Sequence, residues 1–85
     1  MSDRIRVDIY SRPGCHLCEE AEEVIVRIRR KYPFELSIIN VETDPALESA
    51  YGVEIPVITI NGNKAFKYRV DEAEFEKKVK RLWNQ

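Results

Sequence analysis

Ile5, Val7 and Ile9 alternate with Arg4, Arg6 and Asp8, a period of two that predicts a strand from about Arg4 to Tyr10 with one face more buried than the other. The spacing then changes. After the turn-forming Ser11-Arg12-Pro13-Gly14, the residues Leu17, Ala21, Val24, Ile25 and Ile28 recur at helical intervals, with Glu19, Glu20, Glu22 and Glu23 mostly opposite. The glutamates also suit the positive end of a helix dipole. Pro33 ends this helix near Tyr32, and Phe34-Glu35-Leu36-Ser37-Ile38-Ile39-Asn40-Val41 reads as a second strand.

Thr43-Asp44-Pro45 is a helix start, with Asp44 as N-cap and Pro45 at the first helical position, and Gly52 after Tyr51 is its stop. Val57-Ile58-Thr59-Ile60 and Lys64-Ala65-Phe66-Lys67-Tyr68 flank Asn61-Gly62-Asn63, the pattern of a β-hairpin, because Asn-Gly readily takes the positive φ angles of a tight turn. Asp71 is placed to cap a last helix whose inner face carries Ala73, Phe75, Val79 and Leu82, with Trp83 near its end. The order is β-α-β-α-β-β-α. Strands joined through a helix lie parallel and hairpin strands antiparallel, so an α/β domain with a four-stranded mixed sheet flanked by helices is expected.

Composition narrows this picture. The 85 residues are enough for one domain, 1–85, with a compact core. Hydrophobic residues make up 44% and charged residues 34%, a balance that excludes a disordered chain. No apolar run approaches the roughly 20 residues a membrane span requires, so no membrane partner is expected. Met1-Ser2-Asp3-Arg4 shows no apolar signal segment, and a cytoplasmic location is the expectation. A net charge of −1, from 14 basic and 15 acidic residues, offers no electrostatic case for a nucleic-acid partner. The local cluster of Arg27, Arg29, Arg30 and Lys31 falls at a helix C-terminus, where cations complement the dipole.

Both cysteines lie in one tetrapeptide, Cys15-His16-Leu17-Cys18, at the junction of strand and helix. Two cysteines three positions apart in a first helical turn can close and open a disulfide with little backbone movement. A thiol there also faces unpaired amides and the positive end of the dipole, which stabilise its thiolate. An inert pair is the alternative, but a permanent structural disulfide is unusual in the cytosol. His16 between them either supports a thiolate when protonated or simply faces solvent.

Tyr10-Ser11-Arg12-Pro13-Gly14-Cys15-His16-Leu17-Cys18, the later Ile55-Pro56-Val57 and the order of elements together resemble the glutaredoxin branch of the thioredoxin superfamily, over essentially the whole chain. The resemblance implies a thioredoxin/glutaredoxin-like fold and thiol-disulfide oxidoreductase activity. In it Cys15 attacks a disulfide and Cys18 resolves the mixed disulfide. It implies a cis Ile55-Pro56 peptide beside the cysteines, with the Ile55 backbone pairing substrate; a trans bond is the statistical default for X-Pro. Arg12 matches a basic position that contacts a carboxylate of glutathione and Asp71 a retained position of the family's pattern; His16, from its place between the cysteines, joins them as a candidate substrate-binding residue. Where many glutaredoxins carry Gly-Gly, this chain has Tyr68-Arg69-Val70-Asp71, keeping Asp71 alone. Glutathione is therefore one of several compatible reductants, beside a flavoenzyme reductase or another dithiol, and no cofactor is required. The expected partner is a disulfide-containing protein or a low-molecular-weight thiol. Iron–sulfur or other metal binding, which would need dimerisation or carboxylates to complete the ligand set, and a redox-inactive adaptor or sensor are the alternative functions.

Overall fold

A computed structural model describes residues 5–83. The expectations that fall on Met1 to Arg4 lie outside the described residues. The elements are β1 (Arg6–Ser11), α1 (His16–Lys31), β2 (Glu35–Asn40), a 3-10 turn (Val41–Thr43), α2 (Pro45–Tyr51), β3 (Val57–Ile60), β4 (Asn63–Lys67) and α3 (Glu72–Trp83). The sheet runs in the order β2-β1-β3-β4. β1 pairs parallel with β2 and antiparallel with β3, and β3 pairs antiparallel with β4. The fold is the mixed α/β arrangement that the sequence pattern implies. No helix among the described residues is long and apolar enough to cross a membrane.

Local chemistry sets most of the boundaries. Asp44 Oδ1 accepts the Ala46 amide at 2.9 Å, and Asp71 Oδ1 accepts the Glu74 amide at 3.1 Å, so both aspartates cap their helices. Asn61 and Gly62 have φ of 52° and 85°, both in the left-handed region, as a two-residue hairpin turn requires. The turn is thus one residue shorter than the sequence suggested, and Asn63 opens β4. Val41 leaves the predicted second strand for the 3-10 turn because Asn40 bends the chain. Its side chain accepts the Glu42 amide at 2.9 Å, and its carbonyl accepts the Thr43 hydroxyl at 2.8 Å.

The main core lies between one face of the sheet and the pair α1/α3. Val7 and Ile9 of β1, Ile58 and Ile60 of β3, Ala21, Ile25 and Ile28 of α1, and Phe75 and Val79 of α3 pack together. Phe75 meets the ring of Phe34 edge-on at a centroid distance of 5.9 Å and lies 6.1 Å from that of Phe66. Two ion pairs tie α1 to α3 at the rim, Arg27 to Glu72 at 3.0 Å and Lys31 to Glu76 at 3.3 Å. Ala73 corrects an expectation, since it is exposed rather than on the inner face. The buried stripe of α3 begins at Phe75, two residues after the alanine.

β1 and β3 depart from a one-sided strand. Asp8 is buried along with Val7 and Ile9, and all four residues of β3 are buried. These are the two inner strands, and α2 covers part of the second face, where Tyr51 stacks on Tyr10 at 4.2 Å. That layer is thin, and α2 itself has no fully buried residue. Phe75→Ala is expected to remove about 3–5 kcal/mol of stability, because one ring spans the contact between α3 and the sheet. Urea denaturation compared with wild type measures this directly, and a loss below about 1 kcal/mol would mean the site collapses around the deletion.

Candidate functional site

β1 delivers the chain to the cysteines through Arg12-Pro13-Gly14. Gly14 has φ of 77°, and a Cβ there would meet nothing within 4 Å, so glycine is needed for its backbone conformation rather than for space. Cys15 then takes an extended conformation, φ −88° and ψ 109°, as the N-cap of α1. Its Sγ accepts the Cys18 amide at 3.2 Å, and its carbonyl accepts the Glu19 amide at 3.1 Å. A sulfur thus occupies the place that a serine or aspartate oxygen takes in ordinary caps. Cys15 and Cys18 form a disulfide with their Cα atoms 5.2 Å apart. Cys18 is 5% exposed, whereas Cys15 is half-buried and reachable from solvent.

The sheet register brings a second segment to the same end. Tyr10 at the end of β1 lies opposite Val57 at the start of β3, and Val57 lies opposite Lys67 at the end of β4. The chain entering β3 therefore runs beside the chain leaving β1. There the Ile55–Pro56 peptide is cis and Pro56 is buried. The Pro56 carbonyl accepts the Tyr68 amide at 2.8 Å. The Ile55 backbone N–H and C=O take no hydrogen bond among the described residues. Ile55 itself is only partly buried.

Arg12 faces inward to α2. One guanidinium nitrogen donates to Glu48 Oε2 at 2.6 Å and to the Gly52 carbonyl at 2.9 Å. Gly52 is confined by the same arrangement, since a Cβ there would run into the Glu48 carboxylate and backbone carbonyl. Glu54 anchors the next stretch to β4 through Lys64 at 3.0 Å and Lys67 at 3.4 Å. The hydrogen bond and charge of Lys64, then those of Lys67, hold the Glu54 carboxyl below its usual range. Beneath the loop, burial first and then the neighbouring Tyr51 and Asp8 hold the Tyr10 hydroxyl above its usual range.

His16 points to its own helix, with Nε2 3.4 Å from Glu20 and Nδ1 4.0 Å from Glu19, and is largely exposed. Asp71 caps α3. The structure therefore gathers Cys15, Cys18, Ile55 and Pro56 at one end of the sheet, gives Arg12 internal partners in α2, and gives His16 carboxylate neighbours. Glu48 and Glu54, which hold this end together, carried no signal in the sequence, because their partners lie 36 and 10 or more residues away.

The glutaredoxin-like domain family (DUF836) matches residues 6–80. The chain belongs to this family. A glutaredoxin-like protein of Dictyostelium discoideum is 30% identical to it over 74 residues, which cover 80% of this chain and 68% of that protein. The solution structure of a Nitrosomonas europaea protein superposes with a TM-score of 0.78 at 26% identity, covering 92% of this chain and 94% of that one. A thioredoxin from Halobacterium salinarum, 23% identical, superposes with a TM-score of 0.66 over 95% of this chain and 77% of its own. At that identity the likeness shows the fold alone. This glutaredoxin-like protein thus has a thioredoxin fold with its cysteine pair at the start of the first helix, an arrangement suited to redox chemistry.

Because the Glu54 carboxyl is depressed in the folded state, its contribution is fully present above the ordinary glutamate value of about 4.3 and is lost as pH falls through the lower, folded value. The stability difference between wild type and Glu54→Gln is therefore expected to be largest near neutral pH and to shrink in acid. Thermal melts of both proteins between about pH 7 and pH 3 test this, and a difference independent of pH would deny the charge a role.

Proposed function

We propose that this protein is a thiol-disulfide oxidoreductase in which Cys15 attacks and Cys18 resolves. The observation that carries the reading is the asymmetry of the pair. Cys15 is the reachable sulfur and holds the N-cap position, while Cys18 lies beneath it, nearly inaccessible. The Cys18 amide and the helix dipole that bear on Cys15 Sγ favour its thiolate in the reduced protein.

The reaction balances as two exchanges. The Cys15 thiolate attacks one sulfur of a substrate disulfide, forming a Cys15–substrate disulfide and expelling the other substrate sulfur as thiolate. Cys18, having given up its proton to solvent, attacks Cys15 Sγ, forming the Cys15–Cys18 disulfide and expelling the second substrate thiolate. Two electrons pass from the cysteine pair to the substrate. An external thiol reductant, either a dithiol or two equivalents of a monothiol such as glutathione, returns them by the reverse steps; a flavoenzyme reductase acting on the pair would serve equally.

Ile55 and Pro56 supply the binding edge in this reading. The unspent N–H and C=O of Ile55 can pair with an extended stretch next to the substrate cysteine, one strand position beyond the sheet. Arg12 contributes by holding the loop against α2, since its hydrogen bonds go to Glu48 and Gly52. Asp71 contributes through the cap of α3.

With dithiothreitol as donor, the protein is expected to accelerate the reduction of insulin. Cys15→Ser should abolish this, and Cys18→Ser should accumulate a mixed disulfide visible by mass spectrometry. Alkylation of the reduced protein across a pH series should place the Cys15 thiol below the ordinary value of about 8.5. Insulin reduction that survives in Cys15→Ser would overturn the proposal.

A further inference from the structure

β4 ends at Lys67, and the Arg69 amide turns back to donate to the Lys67 carbonyl at 2.8 Å. This three-residue turn forces its central residue, Tyr68, to a φ of 70°. The left-handed region suits glycine and is tolerated by asparagine, but a bulky residue with a Cβ is strained there. Among the described residues, the other non-glycine with positive φ is Asn61, in a hairpin turn that favours asparagine. Tyr68 is thus held against the preference of its own backbone.

Core packing does not compensate for that strain. Tyr68 is 46% exposed and lies outside the core cluster, with the Lys67 ammonium 5.7 Å from its ring centroid. Lys67 is already engaged by Glu54. A glycine at this position would relieve the backbone without removing a member of the core cluster. Strain retained at an exposed side chain directs attention to what that side chain can touch.

Its surroundings answer this. The Tyr68 amide is bonded to the carbonyl of Pro56, next to the unspent backbone of Ile55. Two residues before Ile55, Val53 is 87% exposed. The large hydrophobic side chains exposed among the described residues are Ile38, Val53, Tyr68 and Trp83, so half of them flank the segment 54–56. A small disulfide has nothing to offer these groups. An extended polypeptide does, because a chain whose backbone pairs with Ile55 carries side chains at the two-residue spacing of a strand past both.

We infer that Tyr68 and Val53 are specificity residues, receiving apolar side chains on either side of a substrate cysteine and directing exchange toward polypeptide disulfides. The inference rests on the oxidoreductase reading and deepens it by naming the substrate class. It gives the strained tyrosine a use: the aromatic face is kept where recognition occurs, at the expense of the turn.

The test compares rate constants for oxidation of the reduced protein by insulin and by hydroxyethyl disulfide, which has neither peptide backbone nor apolar side chain. In Tyr68→Gly the insulin-to-hydroxyethyl-disulfide ratio is expected to fall about tenfold, the loss typical of a truncated contact residue, while the melting temperature rises. Tyr68→Ala keeps a Cβ in the strained turn and should lose the ratio without the thermal gain; Val53→Ser should lower the ratio as well. A ratio unchanged in Tyr68→Gly, or a melting temperature that falls, overturns the inference and leaves the oxidoreductase reading intact. Wild-type protein oxidised by neither probe overturns both.

Discussion

The antiparallel pairing of β1 with β3, with Tyr10 opposite Val57, sets the end of the sheet at which the candidate site assembles. β1 runs directly into the cysteine turn, so the residues entering β3 must lie beside that turn. A different register would carry Ile55-Pro56 away from Cys15 without altering either segment internally. A slip of one residue would also invert one strand relative to the other, sending either Val7 and Ile9 or Ile58 and Ile60 out of the face that packs on α1 and α3. The hydrophobic face and the candidate site are thus enforced by the same ladder.

The two faces of the sheet are held by different physics. Toward α1 and α3, stability comes from aliphatic and aromatic packing, which is non-directional and scales with buried area. Toward α2 the contacts are discrete: a stacked tyrosine pair, one arginine shared between a carboxylate and a carbonyl, and one glutamate between two lysines. Asp8 is buried on that side with Arg6 3.5 Å away, and Thr59, opposite it in the ladder, has a buried hydroxyl without a hydrogen-bond partner among the described residues. Polar residues in the middle of a sheet are costly to bury. Directional contacts suit a face whose task is to position loops, since each one fixes an orientation as well as a distance.

Cys15 shows how one residue can serve both fold and chemistry. Its sulfur satisfies a helix N-terminus through the Cys18 amide, and under the proposed function the same amide would stabilise a thiolate at that atom. Cap and candidate nucleophile coincide in one residue. His16, beside two carboxylates on the exposed side of the helix, is consistent with that economy.

By itself the sequence determined what depends on neighbours a few residues away. The periodicities of β1 and α1, the caps at Asp44 and Asp71, the Asn61-Gly62 turn and the cysteine spacing are all local. Each follows from backbone geometry that a short segment imposes on itself. Only the tertiary structure decided the strand order, and with it the burial of Asp8 and the whole of β3 on both faces. It also assigned Arg12 to Glu48 and Gly52, turned Ala73 outward, and ended β4 early so that Tyr68 takes a left-handed turn against Pro56. Those outcomes come from contacts between residues distant in the chain. No period, cap or motif encodes them, because the energy that selects them is gained only when the sheet closes.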